Sequence, residues 1–412
     1  MRIVTNVLIK LKKVPPRLHK IRRMFFVWFY HRITLILTEQ YWLIDYLPKK
    51  KAVCETVLLV RLDLIGDFVI WLDAAKELKN LYPNKRLVLY ANKTWSVLAT
   101  RLPYWDEVVA VDVPRLRTDE SYRLKLLCAT RRLGFTTVIH PTYSREYVVD
   151  LIVRASGASN RIGHLGDLNN ISASHKMITD TWYTTLVPCG TSPPIELNTN
   201  AELIRKLGNI NFRSHIPVIP AFDEFPHALD LPERYSVIVP GASWAPRMWP
   251  IENFVEIILY LQKQGLTTVL CGTDSEQALC KQIAAQAEIK VMNIAGKTTL
   301  LQMIEVIRHA QLVIANESSA IHIAAAVAVP SVCILGGGHF GRFLPYNPEA
   351  EDINRPKPIS VFSSMECFGC RWRCHYPLDE LGAVPCIAHV GTKQVIDACG
   401  MAQRHEIHIN QS

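Results

Sequence analysis

Thr56-Val-Leu-Leu-Val-Arg-Leu-Asp-Leu-Ile-Gly-Asp67 is the stretch on which the fold turns. Thr56 to Val60 is an apolar, β-branched run suited to a strand buried on both faces of a parallel sheet. Leu62 to Asp67 makes the turn, and Phe68 to Asn80 takes up helical periodicity that ends near Pro83. Arg86-Leu-Val-Leu-Tyr90, Glu107-Val-Val-Ala-Val111 and Thr137-Val-Ile-His140 predict further strands, with helical segments between them. A strand–helix series of this kind means an open parallel sheet.

A Pro-rich stretch follows, with Pro217, Pro220, Pro226 and Pro232. Proline removes donors and favours extended chain, so this stretch reads as a linker. The series then restarts. Tyr235 to Val239, Thr268 to Cys271, Val291 to Ile294, Leu312 to Ala315 and Ser331 to Leu335 predict strands. Helices are expected over 251–264, 274–287, 299–309 and 319–328. The expected organisation is a basic extension over 1–51, an α/β domain over 52–216 and a linker over 217–234. A second α/β domain follows over 235–345, and a Cys-rich segment with a final helix over 346–412. A chain of 412 residues fits two domains. Two doubly wound domains place a cleft between the carboxyl ends of their strands.

Composition narrows the class. Hydrophobic residues make up 49% and charged residues 20%, which excludes a disordered chain. Eleven cysteines, an odd number spread over a long chain, argue for a reducing compartment rather than a disulfide scaffold. Residues 1–51 hold 12 basic and 2 acidic groups, leaving 34 basic against 35 acidic in the other 361 residues. The net charge of +9 is therefore a property of the leader and no argument for nucleic-acid binding by the body. In the leader a basic run from Lys10 to Arg23 precedes Met24 to Tyr30, seven apolar residues. That is far short of the ~20 needed to span a bilayer. It also lacks the proportions and cleavage site of a signal peptide. Aromatics beside Lys and Arg suit an anchor at a membrane surface, and packing on the protein's own body or on a partner is the alternative.

Two glycine motifs carry little. Gly336-Gly-Gly338-His-Phe-Gly341 has dinucleotide-fingerprint spacing but follows the last strand of its series, and Pro345 cuts the segment where a helix should run. A phosphate-contacting loop or a plain turn is the expected role. Gly296-Lys-Thr298 lacks the first glycine of a P-loop and reads as a cap before the next helix.

Four stretches bear chemistry. They are Val60-Arg-Leu-Asp-Leu-Ile-Gly-Asp67, Pro240-Gly-Ala-Ser-Trp-Ala-Pro-Arg-Met-Trp-Pro250, Gly272-Thr-Asp-Ser-Glu276 and Asn316-Glu-Ser-Ser-Ala-Ile-His322 with Ile323 to Ala326 after it. In this order and spacing they resemble the motifs of the glycosyltransferase family 9 heptosyltransferases, over about residues 55–345. The resemblance implies two Rossmann-like domains of the B-type glycosyltransferase fold. It also implies an inverting transfer of heptose from an ADP-sugar to lipopolysaccharide core. No catalytic metal is expected, since Arg247 and helix amides would take the charge that Mg²⁺ would otherwise neutralise.

An inverting transfer needs a base for the acceptor hydroxyl and a means of stabilising the departing diphosphate. Asp67 matches the family's proposed base. A cap for the helix at Phe68 is the competing role, and Asp63 is the second candidate base. Gly66 is expected to leave room for substrate. Arg247 matches a family lysine and is expected to pair with the diphosphate, while Met248 replaces a second cation. Ser243 and the amides of Gly241 to Trp244 are candidate phosphate donors. Glu276, by the resemblance, accepts the ribose hydroxyls, unless it only faces a helix dipole. Glu317 stands where the family has Asp, and Ser319 where it has Gly. The amides from Ser318 to Ile321 would form an anion site, and His322 could hydrogen-bond phosphate or sugar, unless it is a core histidine.

Cys367, Cys370, Cys374 and Cys386 fall within 20 residues, a spacing suited to a structural zinc or iron. His375 and His389 are spare ligands, and a final helix over 392–403 is expected to return to the first domain. The leading functional expectation is a glycosyltransferase at the cytoplasmic face of the inner membrane, acting on a cell-envelope glycan or a protein. A nucleotide-sugar epimerase or hydrolase is the second. A non-catalytic sugar-binding protein is the third.

Overall fold

A computed structural model describes residues 42–49, 55–190, 194–352 and 355–409. The basic leader up to residue 41 lies outside the described residues. Two six-stranded sheets carry the architecture. The first holds β1 (Thr56–Arg61), β2 (Arg86–Asn92), β3 (Glu107–Val111), β4 (Thr137–His140), β5 (Asn160–His164) and β6 (Thr185–Val187). The second holds β7 (Tyr235–Val239), β8 (Thr267–Leu270), β9 (Met292–Asn293), β10 (Leu312–Asn316), β11 (Ser331–Ile334) and β12 (Ile359–Val361). Their orders are β3-β2-β1-β4-β5-β6 and β12-β11-β10-β7-β8-β9, and every pairing is parallel. The second order is the first repeated, so each sheet reverses direction beside its own first strand. Such a reversal opens a crevice at the carboxyl ends, between β1 and β4 and between β7 and β10.

The strands form where apolar residues run without a break. Every residue of β1, β7 and β10 is buried, as a strand covered by helices on both faces must be. The helix Ile65–Leu81 starts three residues earlier than the sequence reading placed it and buries Phe68, Trp71, Leu72 and Leu78. It packs on the helix Ser319–Ala326 of the second domain. One apolar cluster therefore crosses the interface, joining Phe68 and Trp71 to Ile304, Ile323 and Ala324.

Several expectations are corrected. The final helix, Thr392–Ile409, does not return to the first domain. Its Val395, Ala398, Cys399 and Ala402 pack with Ile258, Leu261, Val332 and Ile334 of the second. The second sheet also continues past residue 345, through β12. The Pro-rich stretch is held against the second domain rather than hanging free. The Ile219 amide donates to the Ala326 carbonyl at 3.0 Å, and Phe222 to Glu305 at 3.0 Å. Arg308 donates to the carbonyls of Ile219 and Pro220. The cap after Lys297 is Thr299, which shares a reciprocal pair of hydrogen bonds with Gln302. At the other end of the chain, Ile44 is buried in the first domain, and Asp45 pairs with Arg154 at 2.9 Å.

Candidate active site

The turn after β1 is built around a buried arginine that the sequence reading passed over. Arg61 is fully buried, with Nε 2.8 Å from an Asp63 oxygen. Its other nitrogens donate to the carbonyls of Asp67 at 3.0 Å and Pro141 at 3.3 Å. Asn92 and Trp95 donate to the Asp63 carbonyl at 3.1 and 2.9 Å, which fixes the rest of the turn. Thr142, after β4, donates to Asp63 at 3.2 Å. Asp63 is thus engaged on both sides. Asp67 lies in the first turn of the helix, whose cap position is Leu64 and has no side-chain bond. The capping role considered for Asp67 is not the one it takes.

Across the cleft stands the helix Ser319–Ala326. A Cβ added at Gly66 would lie 3.0 Å from Cδ2 of His322, so Gly66 makes room for this histidine rather than for substrate backbone. His322 is buried, and burial pushes its pKa down to about 4, so the ring is neutral. Its Nδ1 lies 2.8 Å from the Tyr346 hydroxyl. With that hydroxyl donating, the proton sits on Nε2, on the ring edge that faces Gly66. The core-histidine role holds for one nitrogen only.

A second, half-buried cation reaches the same group of acids. Arg342, on the loop after β11, crosses to the first domain. It donates to one Glu196 oxygen at 3.1 and 3.2 Å and to Ser144 Oγ at 2.9 Å. The Glu196 amide donates back to the Arg342 carbonyl at 2.8 Å. Burial would raise Glu196, but Arg342 and Arg61 together hold its carboxyl below the usual range. Asp67 goes the other way. Burial lifts it to about 7, Asp63 and Glu196 add to the rise, and Arg61 and Arg342 oppose it. A carboxylate near 7 suits a group that must take a proton at neutral pH.

On the second domain, Arg247 follows β7 and Glu317 follows β10. Arg247 donates to Glu317 at 3.0 Å and to Ser243 Oγ at 3.1 Å. It therefore already has an acidic partner, which its sequence context did not suggest. Burial raises Glu317 to about 7 against the pull of Arg247. Asn316 fastens the loop to the sheet, donating to the Pro240 carbonyl at 2.6 Å and accepting from the Trp249 amide at 3.1 Å. The Trp249 indole donates in turn to the Val390 carbonyl at 2.8 Å. Glu276 is in a capping box, accepting from the Thr273 amide at 2.6 Å and its hydroxyl at 2.8 Å. A Cβ at Gly241 would overlap the Glu276 carboxylate, so the two loops touch there, and the Gly241 end of the phosphate-donor stretch faces an acid. Ser318 precedes the helix, and its buried hydroxyl has no partner among the described residues. Ser319 is the first helical residue.

Among the described residues, no group of three or more His, Cys, Asp or Glu side chains is placed to hold a metal ion. The expected centre at Cys367, Cys370, Cys374 and Cys386 is not among such groups. The four thiols are near neighbours all the same. Cys374 is raised by burial and then by Cys370, Cys386 and Cys367, and Cys386 accepts from the Gly337 amide at 3.4 Å. Gly336, Gly337 and Gly338 lie against the cysteine loop. A Cβ on any of them would overlap Trp372 or Phe368 from the cysteine loop.

Comparison with known proteins bears on the fold and the family. The family model described as glycosyltransferase family 9 (heptosyltransferase) matches residues 217–367. Lipopolysaccharide heptosyltransferase 3 of Escherichia coli strain K12 is 26% identical over 282 residues, 66% of this chain and 79% of that protein. Lipooligosaccharide heptosyltransferase 2 of Haemophilus influenzae is 22% identical over 298 residues, 68% of this chain and 83% of that protein. A solved glycosyltransferase family 9 structure from Veillonella parvula superimposes with a TM-score of 0.67 at 16% identity, over 85% of this chain and 97% of that one. The ADP-heptose lipopolysaccharide heptosyltransferase II of Escherichia coli does so at 0.62 and 17% identity, over 85% and 99%.

Proposed function

We propose that the chain is a glycosyltransferase of family 9, and that it moves heptose from ADP-heptose to a cell-envelope glycan such as lipopolysaccharide core, with inversion at the anomeric carbon. The observation that carries the reading is the meeting of two helix starts across the cleft. Asp67 stands in the first turn of Ile65–Leu81, and the start of Ser319–Ala326 faces it beside His322. The donor lies on the second domain, its diphosphate against the helix amides, Ser318, Ser243 and Arg247. The acceptor lies over the first.

In the transfer, the acceptor oxygen bonds to the anomeric carbon as Asp67 takes its proton. The bond from that carbon to the phosphate oxygen breaks, and its electron pair leaves with ADP. The departing charge falls on the helix amides and Arg247. Glu317, with its carboxyl near 7, can take up a proton and release Arg247 to the diphosphate. Its free carboxyl then faces the sugar. Glu276 reaches the ribose only by loosening its hold on Thr273.

ADP and ADP-heptose should raise the melting temperature of the whole chain, by mass action, more than UDP-sugars do. Transfer should continue in EDTA, because no metal takes the diphosphate charge. Loss of activity in EDTA, restored by magnesium with the fold unchanged, would contradict this. The four thiols of the cysteine loop are proposed to close on a structural zinc or iron, which metal analysis of the purified protein reads directly.

Residues 1–51 are proposed to hold the enzyme at the cytoplasmic face of an anionic membrane. Among the described residues no helix is long and apolar enough to cross a membrane. Deleting the leader removes ten net positive charges. Flotation with anionic vesicles should show binding that falls with salt and is lost on deletion. Retention by the deleted chain would locate the anchor elsewhere.

A further inference from the structure

The loop that carries the four cysteines also carries a tryptophan into the second domain's crevice. Trp372 lies between Cys370 and Cys374, and its ring centre is 4.3 Å from the Arg247 guanidinium carbon. Three features hold it there. The consecutive glycines Gly336, Gly337 and Gly338 leave a bed that any side chain would fill, and Trp372 and Phe368 occupy it. Backbone bonds tie the loop down, from the Gly369 amide to the Gly337 carbonyl at 2.7 Å and from Arg371 to Gly338 at 2.8 Å. Arg371 and Trp372 both adopt left-handed backbone, with φ of 55° and 60°. That conformation is unfavourable for bulky residues and persists where the surroundings impose it.

The stack leaves hydrogen-bonding capacity unused. Nε1 of Trp372 and Nε of Arg247 are buried, and neither has a partner among the described residues. Native structures pair such donors with protein, water or ligand. Two buried, unpartnered N–H groups, one of them cationic, on side chains stacked 4.3 Å apart beyond the end of a parallel sheet suit an oxyanion. The ring face attracts the guanidinium without neutralising it, and the Glu317 carboxylate that shares its charge can take up a proton near pH 7.

We propose that Trp372 is a donor-site residue, its indole N–H joining Arg247 in binding the diphosphate of the nucleotide sugar. This rests on the reading that the donor binds at Arg247. It goes further by making the cysteine loop a wall of that site rather than a remote brace. Whatever secures the four thiols then also sets donor affinity, through a side chain between two of them.

The test is calorimetry with ADP on the full chain, for the wild type, Trp372→Phe, Trp372→Ala and Arg247→Ala. Phenylalanine keeps a ring over Arg247 and on the glycines but has no N–H. The expected result is ADP binding weaker by about tenfold or more in Trp372→Phe, the scale of a hydrogen bond to a charged group. Its unliganded melting temperature should stay within about two degrees of wild type. Wild-type affinity in Trp372→Phe overturns the proposal, as does a loss of affinity matched by a lower melting temperature, which is the mark of packing alone. Should Trp372→Ala fail to fold, the phenylalanine variant decides. A wild type that does not bind ADP, or an Arg247→Ala chain that binds it equally well, would instead remove the donor-site reading beneath.

Discussion

Asp67→Asn is expected to lower kcat by ~10²–10⁴-fold, the usual loss when a general base is removed. The Kd for ADP should stay within about twofold of wild type, because the donor's contacts are on the other domain. Stability adds a second readout. Burial and the neighbouring Asp63 and Glu196 lift the folded carboxyl to about 7 from an ordinary value of 3.8. Between those two pH values the unfolded chain has given up a proton that the folded chain keeps, so stability falls as pH rises across this window. Above about 7 the folded state carries the full cost of the ionised carboxylate. Asparagine cannot ionise. The variant should therefore melt higher than wild type at pH 8 and close to it at pH 4. The wild-type kcat/KM should rise with pH through about 7 as the base ionises, and Asp63→Asn should move that rise to lower pH. An inactive variant that melts lower at every pH would mean that Asp67 is structural.

Arg247→Ala is expected to weaken ADP by ~1.5–3 kcal/mol, or about 10–150-fold, the worth of a hydrogen bond to a charged group. The fold should survive this change better than the burial of Glu317 suggests. Removing one partner of a buried ion pair costs about 3–5 kcal/mol when the other is left charged. Glu317 already sits near 7 with Arg247 beside it, and without the arginine it simply stays protonated. Lysine at 247 keeps the charge but loses the planar fork and the stack with Trp372, so Arg247→Lys should recover only part of the affinity. Calorimetry giving the same ADP affinity for Arg247→Ala and wild type would end the role.

Both sheets were legible because a strand buried on two faces is an unbroken apolar run whatever it pairs with, as β1, β7 and β10 are. β5 was not, since Asn-Arg-Ile-Gly-His goes from exposed at one end to buried at the other and has no such run, and the three-residue β6 and β12 are too short to show one. The last helix was legible as a helix, but not the sheet that its Val395, Ala398, Cys399 and Ala402 pack on. The choice between two similar sheets is tertiary and leaves no local trace. Asp67 and His322 stood out as single residues in motifs, but the clasp of Arg342 on Glu196 joins positions 146 apart. No spacing rule reaches that far. Gly66 was legible as a place needing room, though not for what fills it, and the room at Gly241 and at the triple glycine was not read at all. His322 fills the space at Gly66, the Glu276 carboxylate that at Gly241, and Trp372 and Phe368 the triple-glycine turn. The Thr-Asp-Ser-Glu capping pattern at 273–276 was in plain view. The resemblance drew attention to Glu276 as a ligand for ribose, while its carboxylate was already engaged in the cap.

The central claim is that Asp67 and the second-domain donor site together perform an acceptor-dependent transfer. It is tested most directly by following ADP release from ADP-heptose with wild type and Asp67→Asn, in the presence and absence of a lipopolysaccharide core acceptor. ADP release should require the acceptor and be almost lost in the variant. Equal release by wild type without any acceptor, or undiminished release by Asp67→Asn, would contradict it.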